Sequence, residues 1–149
     1  MSLSSRTAES ELTVVIPTLG RSILRKCLES LEVGEPRPAC VIVVDQGRRP
    51  EVAALLEEFS ARGLETEYVT SVETGRAAGV NRGIERARTH FIALTDDDCV
   101  VASDWVGRMA ARLREHPGAI VTGRVCAGEG EVVLSVVTSE APAIQRRPS

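Results

Sequence analysis

Two short, almost wholly apolar runs, LTVVIP at 12–17 and CVIVVD at 40–45, constrain this chain more than anything else in it. Successive side chains of a strand point to opposite faces, so a strand with one wet face alternates apolar and polar residues. A run that stays apolar and β-branched belongs to a strand covered on both faces. Such strands are parallel, with helices above and below, and the two runs therefore predict an α/β chain.

The segments between them carry the helical period. Ile23, Leu24, Cys27, Leu28 and Leu31 form one stripe and predict a helix over 22–32, with Ser22 as its N-cap. The run 34–38, with Pro36 and Pro38, breaks it. Pro50 suits the first turn of a second helix carrying Val52, Leu55, Leu56 and Phe59, and Gly63 is placed to stop it. A weaker strand follows at 66–70. A third helix is expected over 75–88, capped by Thr74, with Ala77, Val80, Ile84 and Ala87 on one face. Gly79 and Gly83 lie four apart, so a bare patch of this helix can approach the sheet. A fourth strand at 90–95 runs into Asp96, Asp97 and Asp98. Ser103 is the expected cap of a fourth helix burying Trp105, Val106, Met109 and Leu113 and ending before Pro117. The stretches 119–125 and 132–138 read as two further strands. Residues 1–11 read as a disordered lead, 12–140 as one domain and 141–149 as a frayed tail.

Strands alternating with helices imply right-handed crossovers and a mostly parallel sheet with helices on both faces. Ligands of such sheets bind beyond the carboxyl ends of the strands, where the strand order reverses. If the order is 3-2-1-4, Pro17 and Thr18, Asp45, and Asp96 to Asp98 converge on one crevice. Composition narrows what that crevice binds. The 149 residues carry a net charge of −3 and 3% aromatics, which argues against a nucleic-acid surface or a base-stacking platform. The cysteines, Cys27, Cys40, Cys99 and Cys126, show no C-x-x-C spacing and read as reduced thiols, mostly in the core, of a cytoplasmic protein. Neither a signal peptide nor a transmembrane segment is expected.

The three aspartates are the sharpest motif. Adjacent carboxylates at a strand end repel one another, and a divalent cation is the natural compensator. An all-oxygen donor set favours Mg2+ or Mn2+. Alternate residues of an extended segment point the same way, so Asp96 and Asp98 can face the crevice together. The alternative is a solvated acidic turn. Asp45 can accept hydrogen bonds from a nucleobase or ribose, or simply cap the turn Asp45-Gln46-Gly47. Arg76, at the start of the third helix, can strengthen an anion site there or lie solvated on the surface. Asn81 and Arg82 are weaker candidates, and His90, His116 and Trp105 read as structural.

The stretches TVVIPTLGR (13–21), VIVVDQG (41–47), ETGRAAGVNRGIERA (73–87) and FIALTDDDCVVASDW (91–105) together resemble the family 2 glycosyltransferases of the Rossmann-like GT-A fold. The resemblance covers roughly residues 12–125. It implies an inverting transfer from a nucleoside-diphosphate sugar to an acceptor hydroxyl. Pro17, Thr18 and Asp45 would surround the nucleoside, Arg76 would approach the diphosphate or ribose, and Asp96 the ribose or metal. Asp97 is counted with the nucleotide-sugar contacts, and Asp98 would bind the metal. Gln46 and Glu73 depart from the family pattern, where a second Asp and an Asn are common. The family's base generally comes from a later segment, often a Glu-Asp pair. No such pair follows Asp98, so the expectation is a chain with its C-terminal part missing and no catalytic base. Self-association through the strands expected after residue 119 follows from the same reasoning. A non-catalytic module that kept the donor pocket is the alternative. A receiver-type domain wants an acidic pair where Pro17, Thr18 and Leu19 stand, and a nucleotidyltransferase wants a glycine-rich basic loop after the first strand.

Overall fold

The computed structural model describes residues 11–128. Four parallel strands form one sheet: β1 (Leu12–Thr18), β2 (Cys40–Asp45), β3 (Thr66–Thr70) and β4 (Phe91–Leu94), in the order β3-β2-β1-β4. This is the expected order, and it places the reversal between β1 and β4. Four helices alternate with the strands: α1 (Leu24–Glu32), α2 (Pro50–Ala61), α3 (Arg76–Arg86) and α4 (Trp105–Glu115). The register pairs Val14 with Val41, Ile16 with Val43 and Thr18 with Asp45, so the ends of β1 and β2 lie level.

Both apolar runs owe their composition to burial on both faces. Val15, Ile42, Val44 and Val69 form a cluster on one face, joined by Ala87 after α3. Their neighbours Val14, Ile16, Val41 and Val43 point the other way and are also fully buried. α3 lies against β1 and β2, while α2 packs on β3 and against α1. Phe59 of α2 is fully buried, with the guanidinium carbons of Arg25 and Arg62 at 5.9 and 4.7 Å from its ring centre.

The face that α3 turns to the sheet differs from the expected stripe. Gly79, Val80 and Gly83 are its buried residues, while Ala77 is exposed and Ile84 is 40% exposed. A Cβ at Gly79 would come within 2.9 Å of Pro17 Cβ, and one at Gly83 would overlap Cγ1 of Val15. The bare glycine patch, rather than the alanines, sets the closest approach of helix and sheet.

Three expected caps are also absent. α1 is entered through a tight turn in which Leu24 N–H bonds Arg21 O at 3.1 Å, and no side chain caps it, so Ser22 has no such role. α3 begins after Gly75, whose φ of +101° belongs to glycine, and Thr74 makes no cap bond. At α4 the main chain makes the first turn, Trp105 N–H to Ala102 O at 3.0 Å, without the Ser103 hydroxyl. In α4 only Val106 and Ala110 are buried, and Trp105, Met109 and Leu113 are half-covered. Only Cys27 among the cysteines is buried; Cys40 and Cys99 are intermediate and Cys126 is exposed, and all four are free thiols.

The chain divides into two compact units, Met1–Ala110 and Ala111–Ser149. In the second, the expected strand 119–125 is absent. Apart from a single bridge at Ile120 the segment is irregular, with Ile120 71% and Val125 50% exposed. An apolar run needs a continuous ladder to become a strand, and a single bridge does not make one. The strand expected at 132–138, the lead expected at 1–11 except for Glu11, and the tail at 141–149 lie outside the described residues. Among those described, no helix is long and apolar enough to cross a membrane.

Candidate functional site

The carboxyl ends of β1, β2 and β4 bring together most of the residues singled out above. At the end of β1, Thr18 is buried, and its hydroxyl donates to Asp97 Oδ2 at 2.7 Å while accepting from Gly20 N–H at 2.9 Å. β1 is thereby fastened to the acidic segment beyond its neighbour β4. Pro17 lies one residue earlier, against Gly79 of α3.

The three aspartates divide by direction within a turn, closed by Cys99 N–H on Asp96 O at 3.2 Å, and not along the extended segment that was expected. Asp97 is turned inward and its side chain is 3% exposed, whereas those of Asp96 and Asp98 are 43% and 52% exposed. Asp97 is neutralised by Arg21, which donates from Nε to Oδ2 at 3.2 Å and through NH2 to Oδ1. The hydrogen bond to Asp97 comes first in raising the Arg21 pKa above its ordinary value, followed by the charge of Asp97. Asp97 is therefore the anchor of the segment, and the nucleotide-sugar contact expected of it would have to displace Arg21 or Thr18.

Asp96 Oδ1 accepts from Arg76 Nε at 2.8 Å. Arg76 thus stands at the start of α3 as expected, with its guanidinium on a carboxylate of the same crevice. Asp96, Asp98 and Cys99 form a group whose ligand atoms all lie within 4.8 Å of one another. That spacing fits a single cation. The sulfur was not foreseen; the sequence reading took an all-oxygen set, and a thiolate would favour softer ions than Mg2+.

Asp45 is fully buried and closely engaged. Oδ1 accepts from Gly47 N–H at 2.9 Å, and Oδ2 accepts from Arg49 N–H at 2.6 Å and from the Tyr68 hydroxyl at 3.0 Å. The capping role is therefore realised. Burial first, and then the bond to Asp45, pushes the Tyr68 pKa above its ordinary value. Gln46, one of the two departures from the family pattern, bridges elements: its Nε2 donates to Glu73 O at 2.9 Å and Gly75 O at 2.8 Å. It ties the end of β2 to the loop that carries Arg76.

Two further supports were missed in the sequence. The Ser30 hydroxyl accepts from Val101 N–H at 3.1 Å and donates to Cys27 O at 2.7 Å, and the Cys27 thiol donates to Asp96 O at 3.6 Å. α1 thus braces the acidic segment from behind. Burial pushes the Cys27 thiol up to about 12, which keeps it protonated. Ser30 and Cys27 sit three apart on a helix far from Asp96 in sequence, and no local pattern marks that pairing. Among the weaker candidates, Arg82 pairs with Glu85 at 3.4 Å on an exposed face, and Asn81 and His90 are exposed.

The family model described as Glycosyl transferase family 2 matches residues 13–147. The glycosyltransferase GlyA of Streptococcus pneumoniae is 23% identical over 116 residues, 77% of this chain and 17% of GlyA. The putative glycosyltransferase EpsH of Bacillus subtilis is 30% identical over 86 residues, 58% of this chain and 25% of EpsH. The chain thus matches a quarter or less of the length of these curated relatives. Among solved structures, Staphylococcus aureus TarS 1–349 in complex with UDP-GlcNAc superposes with a TM-score of 0.71 at 18% identity, over 83% of this chain and 37% of that one. A 4-diphosphocytidyl-2C-methyl-D-erythritol synthase superposes with a TM-score of 0.58 at 16% identity, over 87% and 68%. At these identities the structural likeness speaks for the fold.

Proposed function

The chain belongs to glycosyl transferase family 2, and from that premise we propose that its crevice binds a nucleoside-diphosphate sugar with Mg2+ or Mn2+ and presents the sugar to an acceptor hydroxyl, with inversion. The observation that supports this most is the split among the aspartates: Asp97 is tied inward to Thr18 and Arg21, leaving Asp96 and Asp98 together at the β4 end, with Cys99 beside them. A random acidic turn has no reason to bury its middle carboxylate on an arginine and a threonine from another strand.

Asp98 and Asp96 would hold the cation, with Cys99 available as a further donor. Bound there, the cation would supply Lewis-acid neutralisation of charge growing on the departing diphosphate. The chain's own contribution is positioning. Thr18 and Asp97 fix the acidic segment against β1. Arg76, at the first turn of α3, has a guanidinium within reach of the same oxygens and suits phosphate charge. Pro17 and Asp45 would frame the nucleoside. One lone pair of Asp45 Oδ1 is left after the bonds described, and the loop at Gly47 must yield for a base to reach it.

TarS is known bound to UDP-GlcNAc, so UDP is the probe of choice. Calorimetry should show UDP binding in Mn2+ and at least about tenfold weaker binding in chelator. Asp98→Ala should abolish that difference. Equal UDP affinity with and without the cation would remove the assignment of Asp96 and Asp98.

A further inference from the structure

Gln46 stands one residue beyond Asp45, at a position where the family pattern commonly has a second Asp. Its side-chain amide is committed to the loop before α3. Nε2 donates to Glu73 O at 2.9 Å and to Gly75 O at 2.8 Å. An ionised Asp has no hydrogen to donate, and its oxygens would repel both carbonyls. The amide also lies against α3 itself, since a Cβ at Gly79 would come to 3.2 Å from Gln46 Cδ and 3.3 Å from Nε2. Gln46 is thus held between the bare face of α3 and the loop that leads into it.

Packing does little to hold that loop. Residues 72–77 are all exposed, and no side chain caps α3. Gly75 adopts a φ of +101°, and glycine is also the residue freest to leave such a conformation. Arg76 follows directly as the first residue of α3. Its contact with Asp96 is open to water on both sides, with side chains 63% and 43% exposed, and fixes the guanidinium weakly. The two bonds of Gln46 therefore set where Arg76 starts. They also set the span between Asp45, at the nucleoside end of the proposed site, and Arg76, at its phosphate end.

We infer that Gln46 is a positioning residue for the diphosphate and acts through Arg76. It orders the turn at Glu73–Gly75 in advance, so that the Arg76 guanidinium meets phosphate without the cost of ordering the loop. The inference rests on the reading of the crevice as a donor site with Arg76 on phosphate charge.

The test is calorimetry of UDP and of UMP, both in Mn2+, on the native chain, Gln46→Met, Arg76→Ala and the double variant. Methionine keeps the length of the side chain and its packing on Gly79 but has no N–H to donate. Circular dichroism checks folding. Arg76→Ala should weaken UDP binding by at least about tenfold. Gln46→Met should weaken UDP by about fivefold and UMP by less than about twofold. It should weaken UDP no further once Arg76 is replaced, because the two residues act as one unit. A merely structural role would weaken UDP and UMP alike and would keep its full factor in the Arg76→Ala background. Either result overturns the inference, as does unchanged UDP affinity in Gln46→Met. If UDP binds but Arg76→Ala leaves its affinity unchanged, the placement of Arg76 on phosphate fails. If UDP binds under no condition, the donor-site reading fails. In both cases the inference falls with it.

Discussion

Three adjacent aspartates turn out to be three different residues. The expectation that Asp96 and Asp98 share a direction rested on an extended segment, whereas Asp97 and Asp98 lie in a turn closed by Cys99 N–H on Asp96 O. What the middle one faces depends on Thr18 and Arg21, nearly eighty positions earlier, and no spacing in the sequence reports that. The difference is measurable. Asp97→Ala strips a buried acceptor from Thr18 and half-exposed Arg21 and should cost about 2 kcal/mol in urea unfolding. Asp98→Ala, at an exposed carboxylate, should change stability by less than about 0.5 kcal/mol while removing the cation dependence of UDP binding. A second residue-scale outcome concerns Cys27, a thiol that burial pushes up to about 12. The unfolded chain releases this proton above about pH 8.5 and the folded chain retains it. The Cys27 contribution to stability is therefore intact below pH 8.5 and is lost as pH rises toward 12. Cys27→Ala should flatten the alkaline part of a stability–pH curve, and an unchanged slope would place the titration elsewhere.

At the scale of elements, the strands were the most legible part, because β1 and β2 are apolar for one reason, cover on both faces, which also dictates parallel pairing. Helix termini were read less well. Ser22, Thr74 and Ser103 are all good capping types, yet none caps, since the chain enters α1, α3 and α4 through main-chain turns instead. The stripe on α3 was misread for a related reason: periodicity weighs side chains, and this helix is closest to the sheet where it has none. Gly83 decides that contact. Alanine there gains about 1 kcal/mol of helix propensity but overlaps Val15 Cγ1, and overpacking costs about 1–3 kcal/mol. Gly83→Ala should therefore lower the thermal midpoint, and adding Val15→Ala should recover more than the two single changes predict. Strict additivity would mean that α3 shifts rather than clashes.

For the molecule as a whole, donor binding and sugar transfer make different demands. On the proposed reading, binding uses the ends of β1, β2 and β4 with the first turn of α3, and the strand order brings the ends of β1 and β4 side by side. Transfer also needs a base within about 3 Å of the acceptor hydroxyl. Among the described residues beyond Asp98 the acids are Asp104 and Glu115, both on or beside α4. Asp104 lies 3.8 Å from Arg108, and Glu115 lies 3.1 Å from Arg112. The segment 119–125, expected to extend the sheet, is irregular instead, so the self-association expected of it loses that support. The 149-residue chain should therefore bind UDP with Mn2+ and rise in melting temperature as UDP is added, since a ligand that favours the folded state stabilises it by mass action. The same sample should release no acceptor-dependent UDP from UDP-GlcNAc when offered hydroxyl acceptors. Release that depends on acceptor and vanishes in Asp98→Ala would overturn this expectation and turn the search for the base to Glu129, Glu131 or Glu140. Individual Glu→Gln changes at those positions would then find it, because loss of a general base lowers kcat and leaves UDP affinity intact.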